Sequence, residues 1–220
     1  MRTGYRPREE HATEQCKLIG DEGVMMNIPL PIFILSAVIL LGLSMSGDAD
    51  SKKGNSSVRG IRPEIVADFI HAVLEADRTL YTTHIVDRMQ ETGTVIASEA
   101  WEVRKTLPLP AQMLLLSGNR VKETGIGLEY RLASLLPIYQ KNGPATDFEK
   151  IGLAAVEQEP SQPYTGYINR GEKTYFQAIY ADRAVSKACV NCHNTHLLSP
   201  KRDRKLGDVM GGIIISFPVD

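Results

Sequence analysis

The chain has 220 residues, of which 43% are hydrophobic and 23% are charged, and its formal net charge is −1. These values are near the averages for globular proteins, so they argue against a disordered chain and against a protein with several membrane spans. The densest basic run, residues 201–205, is short and is interrupted by Asp203. Binding to nucleic acid requires a basic surface that neutralises several phosphates, so we predict no nucleic-acid partner.

Residues 28–45, IPLPIFILSAVILLGLSM, contain no charged side chain. This length is at the short end for a membrane-spanning helix, and the small residues around Met45 also suit a signal-peptide cleavage site, so membrane anchor and cleaved signal both stay open. Either one predicts export to the periplasm. The sequence therefore divides into a polar N-terminal extension (1–27), the anchor or signal peptide (28–45), a flexible linker (46–61) and one folded domain (62–220).

The folded part opens with apolar residues at three- and four-residue steps from Pro63 to about Glu91. This spacing predicts a long N-terminal amphipathic helix, and proline suits its first turn. His84 follows Leu80 and Tyr81 by four and three residues, which places its imidazole on the predicted buried stripe.

Two further helices are indicated in the middle of the chain. A short helix is predicted to start at Pro110, and Thr146 and Glu149 have the spacing of a capping box, which predicts a helix from Asp147 to about Glu157. Residues 128–136 fit either a strand or a helix.

The C-terminal third is typical of β-structure. Residues 164–168 and 174–180 are rich in aromatic and β-branched side chains and flank a turn sequence, which predicts a β-hairpin. Residues 212–217, GIIISF, predict a third strand that is central because it is apolar throughout. Between the second and third strands lies a connection of about 30 residues, which we expect to be a functional loop.

This connection contains Cys189-Val190-Asn191-Cys192-His193, a C-x-x-C-H motif. Two thiols at this spacing add to the two vinyl groups of haem, and the adjacent histidine binds the iron. The motif therefore predicts one covalently attached haem c, with Cys189 and Cys192 as thioether residues and His193 as the proximal iron ligand.

Three other interpretations of the cysteines are weaker. A disulfide oxidoreductase does not require the histidine after its second cysteine. A zinc site would have to take Cys189, Cys192, His193 and His196 as four ligands within eight residues, which strains tetrahedral geometry. A structural disulfide between cysteines only three residues apart is the weakest of the three. The remaining cysteine, Cys16, precedes the apolar segment and carries no predicted role.

The exported part resembles a family of bacterial haem-c domains with a PAS-like fold, which includes periplasmic sensing domains of chemotaxis receptors and histidine kinases as well as stand-alone proteins. The resemblance covers about residues 62–218. It rests on the ordered segments ADRTLYTTHIV, LPLPAQ, LEYRLASLLPIYQKNGPATDFE, YFQAIYAD and VSKACVNCHNTHLLSPKRDRKLGDVMGGIIIS.

This resemblance implies an α+β fold, in which a PAS-like antiparallel sheet with flanking helices holds the haem through the Cys189–His193 segment. The family's S-P-K motif is here Ser199-Pro200-Lys201. It makes Lys201 a candidate to neutralise a haem propionate. Some relatives use a cysteine in or after the first helix as the second iron ligand, but this chain has no cysteine between residues 17 and 188.

The distal iron ligand must therefore be another group or water. His84 is our leading candidate because burying an imidazole costs free energy unless the ring has a hydrogen-bond or metal partner. Met89 and Met113 are weaker candidates because methionine on an apolar face usually fills a core. His196 is so close in sequence to His193 that we expect it to support the haem rather than bind the opposite face of the iron.

Two functions follow from these expectations. One is redox or small-ligand (gas) sensing with a signalling protein partner, and the alternative is periplasmic electron transfer with redox partners. We do not expect an enzyme, because a peroxidase needs a positioned acid-base group and the sequence indicates none. Peroxidase-like activity nevertheless stays open.

Overall fold

The structure is a computed structural model that describes residues 60–219. The N-terminal extension, the anchor or signal peptide and most of the linker lie outside these residues. The described part is a mixed α+β domain with one antiparallel sheet of four strands and helices on both of its faces. It contains no helix that combines the length and apolar character needed to cross a bilayer.

The sheet has the strand order β1-β4-β3-β2, with every neighbouring pair antiparallel. Its strands are β1 (Glu129–Ala133), β2 (Tyr164–Arg170), β3 (Lys173–Arg183) and β4 (Val209–Pro218). The predicted hairpin is β2–β3, and the predicted central strand is β4, which pairs with both β1 and β3. The ambiguous segment 128–136 contains strand β1.

The helices are α1 (Pro63–Leu80), α2 (Arg88–Glu91), α3 (Trp101–Arg104), α4 (Pro110–Glu123), α5 (Asp147–Gln158) and α6 (Lys187–Thr195). A π-helical segment, Tyr81–Asp87, joins α1 to α2, and a 3₁₀ turn covers Gln140–Asn142. The helix predicted from Pro110 is 14 residues long, so its expected short length was wrong.

Each face of the sheet has its own apolar core. Alternate side chains on a strand point to opposite faces, so Phe176, Tyr180 and Ile215 pack towards α1 and α4, while Ile179 and Ile214 pack against α5. Close packing of α4 on β1 depends on Gly118, where a Cβ atom would lie 2.6 Å from the backbone oxygen of Tyr130.

The first helix buries a different set of side chains from the predicted stripe. From Leu74 onward its buried residues follow four-residue steps and end with Thr82 and Val86, whereas His84 is exposed. The expectation that His84 lies on the buried face was therefore wrong. The physical reason is that the domain core packs against the face of Ala67, Leu74 and Arg78, and the π-helical segment continues this face through Thr82 and Val86.

Helix α5 begins where the capping box predicted, but the box is only half formed. Thr146 Oγ1 accepts a hydrogen bond from the backbone N–H of Glu149. The Glu149 carboxylate instead accepts from the backbone N–H of Ala145 and pairs with Arg131 on β1. A tertiary ion pair thus replaces the reciprocal local bond of the capping box.

The connection that follows β3 is not the loop that we expected, because it contains α6. Ser186 is the N-cap of this helix, and its Oγ accepts hydrogen bonds from the backbone N–H groups of Ala188 and Cys189. Serine at this position supplies an acceptor that the first turn of a helix lacks.

Candidate functional site

Helix α6 carries the whole C-x-x-C-H motif. Cys189, Cys192 and His193 stand at positions i, i+3 and i+4, which lie on one side of an α-helix. All three side chains are half-buried. Both cysteines are free thiols, so no disulfide competes for them. The local fold therefore presents two thiols and one imidazole side by side.

The surroundings of this helix affect its ionisable groups. Burial raises the pKa of the Cys192 thiol, and the nearby Glu99 carboxylate acts in the same direction. Burial lowers the pKa of His193, and the positive charges of Arg204 and Arg78 lower it further. At neutral pH the imidazole is consequently uncharged, which is the form that binds a metal ion.

A hydrogen bond joins the N-cap of α6 to the π-helical segment. Ser186 Oγ donates to Asp87 Oδ1 over 3.2 Å, and Asp87 is the last residue of the π-helical segment. Burial raises the pKa of Asp87, and this hydrogen bond opposes the rise. π-Helical turns are rare and frequently occur at functional sites, so their position beside the motif supports a site here.

A polar cluster of Glu99, Tyr139 and His196 lies next to Cys192. Tyr139 Oη donates to Glu99 Oε2 over 2.5 Å, and His196 Nε2 lies 3.0 Å from Glu99 Oε1. His196 Nδ1 accepts from the backbone N–H of Leu198, so the proton of the neutral ring is on Nε2 and is donated to Glu99. The Glu99 hydrogen bond also raises the pKa of Tyr139.

Two buried arginines lie near His193. Arg78 on α1 pairs with Asp182 on β3 at 2.6 Å, and Arg204 Nη1 donates to the backbone oxygen of Val209. The Asn194 side chain holds Arg204 in place, because it both accepts from and donates to the backbone of that residue. The Nε atoms of both arginines are buried without a hydrogen-bond partner in the described part of the chain.

Sequence reasoning missed both arginines as site residues. Arg204 stands in a run of basic residues whose burial the sequence does not reveal, whereas Lys201, the predicted propionate residue, is half-buried. Arg78 is part of the quoted ADRTLY segment, but its pairing with Asp182, 104 residues away, has no local signal.

The predicted distal ligands lie on three different helical elements. His84 is one turn from Asp87, and its Nδ1 lies 2.7 Å from Thr83 Oγ1. Met89 is half-buried two residues after Asp87, and Met113 is half-buried on α4. The first helix and the residues before α4 meet where Tyr81 Oη donates to the backbone oxygen of Pro108.

These residues suit covalent attachment of haem better than a zinc site. His196 would have to be the fourth zinc ligand, but both of its ring nitrogens are engaged, and residues 60–219 contain no group of three or more side chains arranged for a metal ion. In contrast, no residue of the described region forms a hydrogen bond with the His193 ring. The site thus offers two thiols and one unengaged imidazole to a planar group.

The fold and the site define an α+β domain with a C-x-x-C-H helix between its last two strands. The family model "Tll0287-like: Tll0287" matches residues 64–218, and the chain belongs to this family. Among solved structures, it is similar to "Crystal structure of the cyanobacterial heme-protein Tll0287", with 13% identity, a TM-score of 0.46, and coverage of 73% of this chain and 98% of that chain. A comparison with curated protein sequences gave no match.

Proposed function

We propose that this chain is an exported protein with one covalent haem c in a PAS-like domain, and that it acts in redox or small-ligand sensing. The observation that carries the proposal is the placement of Cys189, Cys192 and His193 on one side of α6, with free thiols and an unengaged imidazole. The name of the family supports it, because Tll0287 itself is described as a cyanobacterial haem protein.

We assign a different role in haem binding to each residue around α6. Cys189 and Cys192 would hold the haem as thioethers, and His193 would bind the iron. Arg204 fits an anionic propionate because it is a buried cation with an unpaired Nε, and we add it to Lys201 as a candidate. When bound, haem supplies an iron centre that changes oxidation state or takes a ligand.

The first experiment tests covalent attachment. The full chain is produced in a host that exports proteins and attaches haem c, and its intact mass and its haem staining after denaturing electrophoresis are recorded. We expect the mass of one haem above the polypeptide and a stained band, and we expect Cys189→Ser/Cys192→Ser to abolish both. A colourless protein of bare polypeptide mass would falsify the haem proposal.

The second experiment identifies the distal ligand. We propose His84, with Met89 and Met113 as the weaker candidates. His84 and Met89 lie within three residues of Asp87, which accepts a hydrogen bond from the N-cap of α6, and Met113 lies on α4, which packs against the first helix. Optical spectra of the oxidised and reduced forms are compared for His84→Ala, Met89→Ala and Met113→Ala. The true ligand's variant should change the low-spin spectrum; unchanged spectra for His84→Ala would exclude this histidine.

Sensing and electron transfer differ in the iron's response to ligands. A sensor is expected to bind carbon monoxide or to exchange a ligand on reduction. An electron carrier is expected to keep two strong iron ligands and not to bind carbon monoxide. The exposed position of His84 favours sensing, because a side chain outside the packed core can leave the iron at a small cost in packing. Carbon monoxide titration of the reduced protein decides between the two functions.

The proposed location is the periplasmic side of a membrane, with residues 28–45 either retained as an anchor or removed as a signal peptide. The proposed partners are a redox or signalling protein, and we propose no enzymatic activity. Intact mass and membrane fractionation of the exported protein distinguish the two fates of the apolar segment. Turnover of hydrogen peroxide with an electron donor would contradict the non-enzymatic part of the proposal.

A further inference from the structure

The outward side of α1 carries an apolar stripe that the domain core does not cover. Phe69 is 63% exposed, Val73 is 60% exposed and Leu80 is 52% exposed. Val66 and Ala76 complete the stripe, and Ala76 is also exposed. The core-facing residues of this helix, Ala67, Leu74 and Arg78, form a different face. We call the five residues Val66, Phe69, Val73, Ala76 and Leu80 the α1 seam.

The α1 seam has the spacing of a coiled coil. Its residues follow steps of three, four, three and four, which are the a and d positions of a heptad repeat. Valine at the first two a positions is typical of parallel two-stranded coiled coils. The repeat ends at Leu80 because the π-helical segment begins at Tyr81 and changes the number of residues per turn.

The charges beside the seam permit a second copy of the same helix. In a parallel pair, the flanking g and e positions would bring together Ile65 with Ile70 and Ala72 with Asp77. No like-charged residues face each other in this arrangement, so the seam meets its own copy without repulsion.

The chain that precedes α1 indicates how two copies meet. About 17 residues separate the apolar segment 28–45 from Pro63. Two chains anchored by this segment in one membrane therefore hold their α1 helices on the same side of it and within reach of each other. The five seam residues bury on the order of 400 Å² per partner, about half of what a standard stable interface buries. Anchoring raises the effective concentration to about the millimolar range, which favours such a small interface.

We infer that the α1 seam is a parallel homodimer interface between two anchored copies of this chain. The inference rests on one of the two fates proposed above for residues 28–45, retention as an anchor, and it goes beyond haem binding because it assigns a partner to the face of α1 opposite its core-facing residues. It also places the interface directly before the π-helical segment that contacts α6. A change around the haem would thus reach the dimer interface through one continuous helix.

Cysteine crosslinking of the full chain in membranes tests this inference. In a Cys16→Ser background, with the motif cysteines attached to haem, we introduce Val66→Cys or Ala76→Cys in the seam. Glu75→Cys, an exposed neighbour outside the seam, is the control. A parallel dimer predicts disulfide-linked dimers for both seam variants and few for the control. Equal crosslinking at Glu75 and Ala76, or no crosslinking in the seam, overturns the inference. An antiparallel pair would instead crosslink through Val73→Cys alone, and this result would overturn it as well.

A second pair of substitutions keeps the test independent of folding. Phe69→Glu is expected to lower the Ala76→Cys dimer yield roughly tenfold, because a carboxylate in an apolar seam lacks a partner. Ile151→Glu on α5, a site that is 57% exposed, should leave the yield unchanged. Equal effects of the two substitutions count against the seam. Intact mass and the haem spectrum of the same samples report separately whether residues 28–45 are retained and whether haem is attached.

Discussion

Glu99 connects two aromatic side chains to the motif helix, because its carboxylate binds both Tyr139 Oη and His196 Nε2. His196 is three residues after His193, so this cluster fixes the C-terminal end of α6. The carboxylate also lies close enough to Cys192 to raise the pKa of the thiol. Glu99 thus places a negative charge beside the residue that we propose to hold haem.

Replacing Glu99 with glutamine should raise the reduction potential of the haem-loaded protein. Removal of a negative charge near the haem makes the more positive oxidised iron less favourable, by on the order of tens of millivolts. Potentiometric titration measures this shift. Glu123→Gln, which removes an exposed carboxylate paired with Arg120 on α4, is the control and should leave the potential unchanged. A fall in potential for Glu99→Gln would contradict the electrostatic role.

His71 determines a pH dependence of stability. Its ring stacks on Tyr180 with centroids 3.9 Å apart and an interplanar angle of 8°. Burial lowers the pKa of His71, while the carboxylates of Glu75 and Asp68 partly oppose this. The unfolded chain therefore binds the proton more readily. The stabilisation is complete above the unfolded pKa of about 6.5 and is lost as the pH falls from there through the lower folded pKa.

We expect His71→Phe to weaken this pH dependence, because phenylalanine keeps the stacked ring but does not bind a proton. The free energy of unfolding, measured by urea titration at a series of pH values, should fall less steeply below about pH 6.5 in the variant than in the parent protein. Parallel pH curves for the two proteins would show that another group controls this range.

At the scale of elements, two N-caps of the same type stand on different helices. Ser186 caps α6 and also donates to Asp87, whereas Thr146 caps α5. Both side chains accept hydrogen bonds from backbone N–H groups that have no partner within the first helical turn. Only the Ser186 cap belongs to the helix that carries the cysteines.

Ser186→Ala and Thr146→Ala should each lower the free energy of unfolding by about 1 kcal/mol, with a larger loss for Ser186 because Asp87 also loses its donor. Only Ser186→Ala is expected to lower the yield of covalent haem attachment as well. Urea unfolding and haem staining per unit of protein measure the two effects. If both variants lose the same fraction of haem, the cap acts through general stability.

The sequence predicted much at this scale because the signals are local. The hairpin β2–β3 follows from β-branched runs around a turn, and α5 begins at Asp147 as its cap indicated. The helix α6 was missed because short polar segments carry little hydrophobic periodicity. The exposure of His84 was missed because apolar side chains such as Phe69 and Val73 also recur on the exposed face of α1, so apolar spacing did not identify the buried face.

At the scale of the whole molecule, the Arg78–Asp182 pair joins the first helix to the third strand. Both side chains are buried, and both guanidinium Nη atoms contact the carboxylate. Burial raises the pKa of Asp182, and the positive charge of Arg78 opposes the rise. The pair therefore holds α1 against the sheet only while both partners are present.

Arg78→Met should destabilise the folded protein by about 3–5 kcal/mol, because it leaves a buried carboxylate without its partner. The double variant Arg78→Met/Asp182→Leu should recover most of this loss, since two apolar side chains replace the pair without an uncompensated charge. Urea unfolding of the parent, both single variants and the double variant measures the coupling. Additive losses in the double variant would mean that the two side chains act independently.

The sequence by itself determined the C-x-x-C-H motif, the hairpin β2–β3, the start of α5 and the apolar character of β4. These features depend on residues that are neighbours in sequence, so periodicity and spacing express them directly. Only the tertiary structure decided which cations are buried near His193, which partner Glu149 takes, and that the α1 seam faces outward. Burial and pairing depend on packing between segments that lie far apart in the chain, and composition does not distinguish Arg204 from its solvated neighbours.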